Sequence, residues 1–120
     1  MLGLDKFPVV SEESSLKEAL VKMVQSKIGF VAIINRDGKL VSVFTDGDFR
    51  RLILTNQQPL PSLLVNEVSK FANQKFKYVE AQIEMKLVLD IVKRDKIYDL
   101  PVMDGDKLVG LIHSLSIAFS

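Results

Sequence analysis

The chain has 120 residues, 48% of them hydrophobic and 26% charged, the balance of a globular domain with a buried core rather than of a disordered segment. Sixteen Lys and Arg against fifteen Asp and Glu leave a net charge of +1, which gives no electrostatic footprint for nucleic acid or an anionic membrane. Cysteine is absent, so disulfides and thiol chemistry are excluded.

In chain order, the first expected strand is FPVV (7–10). Ser14 or Ser15 then reads as an N-cap, with Ser15 and Glu18 spaced as a capping box. SLKEALVKM carries Leu16, Ala19, Leu20 and Met23 at the i, i+3, i+4, i+7 spacing of an amphipathic helix. The apolar run Phe30–Ile34 (FVAII) predicts a buried strand, NRDGK (35–39) a hairpin turn, and LVSVF (40–44) the returning strand. That apolar run is the longest in the chain, far short of the roughly 20 residues of a membrane span. MLGLDKFPVV lacks the basic and apolar regions of a signal peptide, so a cytoplasmic location is expected.

FTDGDFRR (44–51) ends the returning strand and opens a helix, and the segment 55–76 follows as a connector in which Pro59 and Pro61 interrupt any continuing helix. KYVE (77–80) is the next short strand. A second amphipathic stripe, Met85, Val88, Leu89 and Val92, predicts a helix beginning near Glu84. LPVM (100–103), the turn DGDK (104–107), LVGLI (108–112) and a closing helix complete the chain.

The second series repeats the first. Residues 15–30 match 84–99 at an offset of 69, and after a turn one residue shorter LVSVF matches LVGLI at an offset of 68. Each copy, at about 50 residues of ordered pattern, is too small to bury much core alone. The expectation is therefore a mixed α/β (α+β) fold, a tandem βαββα repeat with pseudo-twofold symmetry, divided as 1–60 and 61–120, with both helical stripes buried.

Several chemistries find no residues. There is no Gly-x-x-x-x-Gly-Lys-Ser/Thr loop and no Gly-x-Gly-x-x-Gly. A single histidine, His113, without cysteine cannot build an ordinary zinc site. Asp46-Gly47-Asp48 and Asp104-Gly105-Asp106 lack the remaining ligands of a calcium loop and read as cap and turn. His113 ends an apolar strand, where a satisfied structural role is the simpler reading than that of a general base. No catalytic constellation is expected.

Thr45 to Arg51 admits two readings. In one, Thr45 is an N-cap and Asp48 its capping-box partner, Asp46 and Asp48 suit the positive end of the helix dipole, and Asp46 pairs with Arg50 on the surface. In the other, the same helix start meets a ligand: free N–H groups for a phosphate, Gly47 for close backbone approach, Asp48 for ribose hydroxyls, and Arg50 or Arg51 for phosphate oxygens. The second copy carries His113-Ser114-Leu115-Ser116 here and lacks both the threonine and the carboxylate.

A tandem βαββα repeat whose strand runs into Thr-x-x-Asp resembles a pair of CBS domains, regulatory modules that bind adenosine-type nucleotides. The glycine of that family's strand is matched by Gly110, whereas Ser42 stands in the first copy. DKFPVV, SLKEALVKM, VFTDGDFRR and LVGLIH are similar to the C-terminal CBS pair of bacterial D-arabinose 5-phosphate isomerases, enzymes of lipopolysaccharide precursor synthesis. The likeness spans about residues 5–118, although the family's histidine-aspartate-leucine ending is replaced by Ser114-Leu115-Ser116.

The resemblance implies a regulatory module, without catalysis or a required cofactor of its own, that serves the sugar isomerase domain ahead of it in a parent protein and associates with a second copy. It implies an adenosine or cytidine nucleotide, or a nucleotide-sugar, held by Thr45, Asp46, Gly47, Asp48 and Arg51. Two alternatives stay open: an oligomerisation brace without ligand, and the CBS pair of a sugar nucleotidyltransferase, where TDGD-x-RR also occurs.

Overall fold

The computed structural model describes residues 1–82, 85–95 and 99–113 of the chain, with nothing stated of the Met85 and Asp95 side chains. In chain order it forms β1 (Val9–Ser11), α1 (Leu16–Ser26), β2 (Phe30–Ile34), β3 (Leu40–Thr45), α2 (Asp46–Thr55), α3 (Leu60–Leu64), a 3-10 turn (Val68–Lys70), β4 (Val79–Glu80), α4 (Met85–Asp95), β5 (Asp99–Asp104) and β6 (Lys107–His113). The helix expected after β6 falls on residues 114–120, outside the described residues.

The two halves build the same sheet. β1 pairs parallel to β2 and β2 antiparallel to β3; β4, β5 and β6 repeat that order and those directions. Even the register irregularity recurs, between Ile33 and Ile34 in one half and between Val102 and Met103 in the other. The parallel first pair needs a crossover, and the helix supplies it.

α1 starts where the sequence indicates: the Ser15 hydroxyl accepts from the Glu18 N–H at 3.0 Å. It stops at Ser26 because Lys27 turns left-handed, with φ 59° and ψ 27°, in the manner of a helix C-cap. Leu16, Ala19 and Met23 are buried and Leu20 packs beside them. In α4, Val88 is buried and Val92 packs against the same cluster. Both hairpins turn on glycines at positive φ, Gly38 at 80° and Gly105 at 66°, where a side chain would be strained. The Asn35 side chain closes the longer turn by accepting from Asp37 and Lys39 N–H.

The strands are apolar on both faces because both faces are covered. Outward, Val31, Ile33 and Phe44 pack on α1. Inward, Phe30, Ala32 and Val43 meet Met103, Leu108 and Leu111 of the other sheet in one cluster with Phe7 and Ile28. The result is four layers, helix, sheet, sheet and helix, with a shared core at the centre. No helix of the described residues is long and apolar enough to cross a membrane.

The connector is more structured than its prolines suggest. Pro59 and Pro61 begin α3 rather than merely ending α2, since proline fits the first turn of a helix, where N–H groups lack partners anyway. Leu63 and Val68 are fully buried against α1 and its strands.

Isolated bridges join the halves. Leu2 pairs with Leu111 of β6, and Asn73 pairs with Val43 of β3. Lys39 pairs with Lys107, its own counterpart at the offset of 68, so the pseudo-twofold axis passes between them. The segment leading into each half thus lies on the last strand of the other half. At Gly110 this contact is close: an added Cβ would overlap Met1 and the Leu2 carbonyl oxygen. Glycine is required there.

Ser42 occupies the other strand's matching position. It is buried and its hydroxyl has no hydrogen-bond partner. A buried unpaired hydroxyl costs about 1–3 kcal/mol relative to an apolar group. Ser42→Ala is therefore expected to raise the free energy of unfolding by about 1 kcal/mol in a urea titration; a loss of stability would mean that the hydroxyl is paired.

Candidate functional site

A reciprocal capping box closes the start of α2. Thr45, in extended conformation, accepts from the Asp48 N–H through its hydroxyl at 3.2 Å. Asp48 returns the bond: its Oδ2 accepts from the Thr45 N–H at 2.9 Å and from the Thr45 hydroxyl at 3.0 Å. Its Oδ1 accepts from Arg51 Nη2 at 2.6 Å. Three of roughly four acceptor positions on this carboxylate are thus taken within the helix start itself. The surface pair expected between Asp46 and Arg50 is not among the ion pairs of the described residues; Arg51 and Asp48 form the pair instead.

The first-turn N–H groups are also largely used. That of Asp46 donates to the Gly29 carbonyl at 3.0 Å and that of Asp48 to Thr45. Among the described residues the Gly47 N–H has no such partner and is the donor left for an anion. Asp46 lies so close over Gly29 that a Cβ there would overlap its carboxylate. Gly47 is less constrained: an added Cβ would meet Arg51 Nη1 at 3.5 Å and Thr45 Oγ1 at 3.6 Å, ordinary contacts.

Thr45 opens onto a cleft of about 350 Å3 between the two halves. Phe30, Val43, Phe76 and Pro101 give it apolar walls, and Asn73, Lys75 and Lys77 come from the segment paired to β3. Asp99 faces it from the second sheet. The structure thus brings Thr45, Asp46, Gly47, Asp48 and Arg51 together at one helix start and sets only Thr45 of them in the cleft wall.

Sequence reasoning missed Asp99. Its Oδ1 lies 2.5 Å from His113 Nδ1, and the two side chains are only 16% and 19% exposed. His113 thus has the structural partner expected of a histidine at the end of an apolar strand. The two residues face each other across β5 and β6, as Phe30 and Thr45 do across β2 and β3. The signal was available: the offsets of 69 and 68 carry Phe30 onto Asp99 and Thr45 onto His113. Where the first half has Phe30 and Thr45, the second has an ionisable pair.

Burial pushes the Asp99 carboxyl above its ordinary value, the His113 hydrogen bond and charge pull it back, and the negative charge of Asp46 pushes it up again. No group of side chains suited to a metal ion occurs among the described residues.

Residues 4–55 match the CBS domain family. This half of the chain is a CBS domain, and the chain as a whole has the fold of a CBS-domain pair. The chain is 31% identical over 117 residues to an uncharacterized protein of Helicobacter pylori strain J99, covering 94% of this chain and 33% of that one. It is 28% identical over 109 residues to the arabinose 5-phosphate isomerase KdsD of Salmonella typhi, covering 91% of this chain and 32% of the isomerase. It therefore spans about a third of the length of the curated relatives it matches. Among solved structures, CBSX2 in complex with AMP superposes with a TM-score of 0.85 at 22% identity, covering 99% of this chain and 90% of that one.

The Asp99 environment predicts a pH effect. A carboxyl whose folded pKa lies above its unfolded value carries its proton more readily when folded, so its ionisation costs stability. That cost is absent below the unfolded value of about 3.9 and grows as pH rises through the folded value. Asp99→Asn removes it. Measured against Asp99→Asn by thermal unfolding, the wild type is expected to lose relative stability as pH rises from about 3.5 to 5.5; a relative gain over that range would reverse the assignment.

Proposed function

We propose that this chain is the regulatory CBS-domain pair of a D-arabinose 5-phosphate isomerase of lipopolysaccharide precursor synthesis, sensing an adenosine or cytidine nucleotide or nucleotide-sugar. Residues 1–60 and 61–120 act as the two repeats, one ligand site lies at the first, and the isomerase chemistry belongs to another domain of the parent protein. Two likenesses support this reading, the KdsD isomerase and CBSX2, the latter solved with AMP. The observation that carries it is the Thr45–Asp48 helix start beside an inter-sheet cleft with apolar walls and basic residues.

Because Asp48 is already engaged, binding is an exchange of partners. Ribose hydroxyls replace Arg51 on Asp48 Oδ1, and the released guanidinium reaches the phosphate, with the Gly47 N–H as a second donor. The ligand then touches both halves and favours one arrangement of the pair, biasing the attached domain by its differential affinity. Apolar residues left exposed on the helices, Val24 at 77% and Leu54 at 83%, suit association with a second copy. The pair works in the cytoplasm with its parent.

One observation favours the rival, a brace without ligand: the capping box is complete as it stands. Two substitutions separate the readings. Losing a hydrogen bond to a charged group costs about 1.5–3 kcal/mol, so Asp48→Ala is expected to weaken AMP or CMP binding roughly 10- to 150-fold in calorimetric titration. Gly47→Ala has room in the folded chain and gains about 0.5–1 kcal/mol of helix propensity. It is therefore expected to stabilise the protein while weakening the ligand. Unchanged affinity in both variants would leave the motif as a helix cap only.

A further inference from the structure

Resting on the nucleotide reading above, we infer that Asp99 selects the base, so that the cleft prefers nucleotides whose base carries an exocyclic amino group. The Thr45–Asp48 motif meets ribose and phosphate, which every nucleotide shares, and so cannot by itself choose among bases. Choice has to come from the polar side chains that the cleft adds: Asn73, Lys75, Lys77 and Asp99.

These four are not equivalent. Lysines are long and mobile point charges, poor at reading the edge of a flat ring. Asn73 is committed elsewhere: its backbone bridges Val43 and its side-chain oxygen accepts from the Lys75 N–H at 2.9 Å. Asp99 is mostly buried, and His113 holds one of its oxygens. A carboxylate fixed in this way presents its second oxygen as an acceptor and offers no donor.

Phe30, Val43 and Pro101 line the same cleft and suit the face of a planar ring. A ring lying there turns an edge toward Asp99. An amino group on that edge donates to the carboxylate, whereas a carbonyl oxygen in its place meets another oxygen with no proton between them. Such a mismatch in a partly buried site is a strong source of selectivity. The position is also peculiar to the second half, since its counterpart in the first is Phe30, which carries no polar atom.

Two pairs of nucleotides, AMP with IMP and CMP with UMP, differ at this edge by amino against carbonyl. In calorimetric titrations of the whole chain, the amino member of at least one pair is expected to bind about tenfold tighter or more. Asp99→Asn can still accept from His113 through its amide oxygen and turns an N–H donor to the cleft. The preference is therefore expected to shrink to within about threefold or to reverse. Asp48→Ala, by contrast, should weaken both members alike and leave their ratio intact. Equal binding of both members of both pairs by the wild type overturns the inference without any variant. So does an unchanged ratio in a folded Asp99→Asn protein. Failure of all four nucleotides to bind would instead remove the nucleotide reading, and this inference with it.

Discussion

Each half's leading segment pairs with the other half's last strand, and this reciprocal pairing closes the fold. Leu2 and Leu111 exchange backbone hydrogen bonds at 2.7 and 2.9 Å, and Asn73 and Val43 do so at 2.8 and 3.0 Å. Each contact covers a sheet edge that would otherwise stand open. Between them, Leu40 N–H reaches the Asp106 carbonyl and the Lys39 ammonium lies 3.1 Å from the Asp106 carboxylate. The sheets are thereby held face to face, and neither half has a complete inner core without the other. Phe30, Ala32 and Val43 find their partners in Met103, Leu108 and Leu111.

The same pairing makes the cleft. With the two sheets locked about the Lys39–Lys107 axis, the end of β3 and the start of β5 come to one place, and Thr45 faces the same space as Asp99. The segment that bridges Val43 supplies the remaining wall, through Lys75, Phe76 and Lys77. Symmetry of backbone combined with asymmetry of side chains gives the cleft two chemically different sides. One carries a hydroxyl and a helix start, the other a carboxylate held by a histidine. The proposed single site per chain rests on these differences.

Much of this could be read before the structure. The repeat was visible because helices and strands impose periods of 3.6 and 2 on apolar residues, and both copies keep them. The Thr45–Asp48 box was visible because caps are local and need only a spacing of three. The physical need for glycine at position 110 is not legible locally, because it lies in a contact with Met1 and Leu2, more than a hundred residues away. The pairing of Asp99 with His113 was hidden for a similar reason: Asp99 looks like an ordinary strand end, and only the register of β5 against β6 joins the two. The order of the connector is hard to read from its prolines, which locally signal breaks, whereas Leu63 and Val68 pull it onto α1. The engagement of Asp48 with Arg51 rather than of Asp46 with Arg50 follows from side-chain directions at a helix start, which spacing alone does not resolve.

Amide chemical-shift mapping reports where a nucleotide sits on this chain without altering any residue. With AMP added to the isotopically labelled chain, perturbations are expected only at Thr45–Asp48, the Asn73–Lys77 segment and the start of β5 at Asp99, the placement proposed above. The outer helix faces around Val24 and Leu54 should stay unchanged at low protein concentration. Perturbations centred anywhere else, or a spectrum indifferent to AMP and CMP alike at saturating concentration, would contradict it.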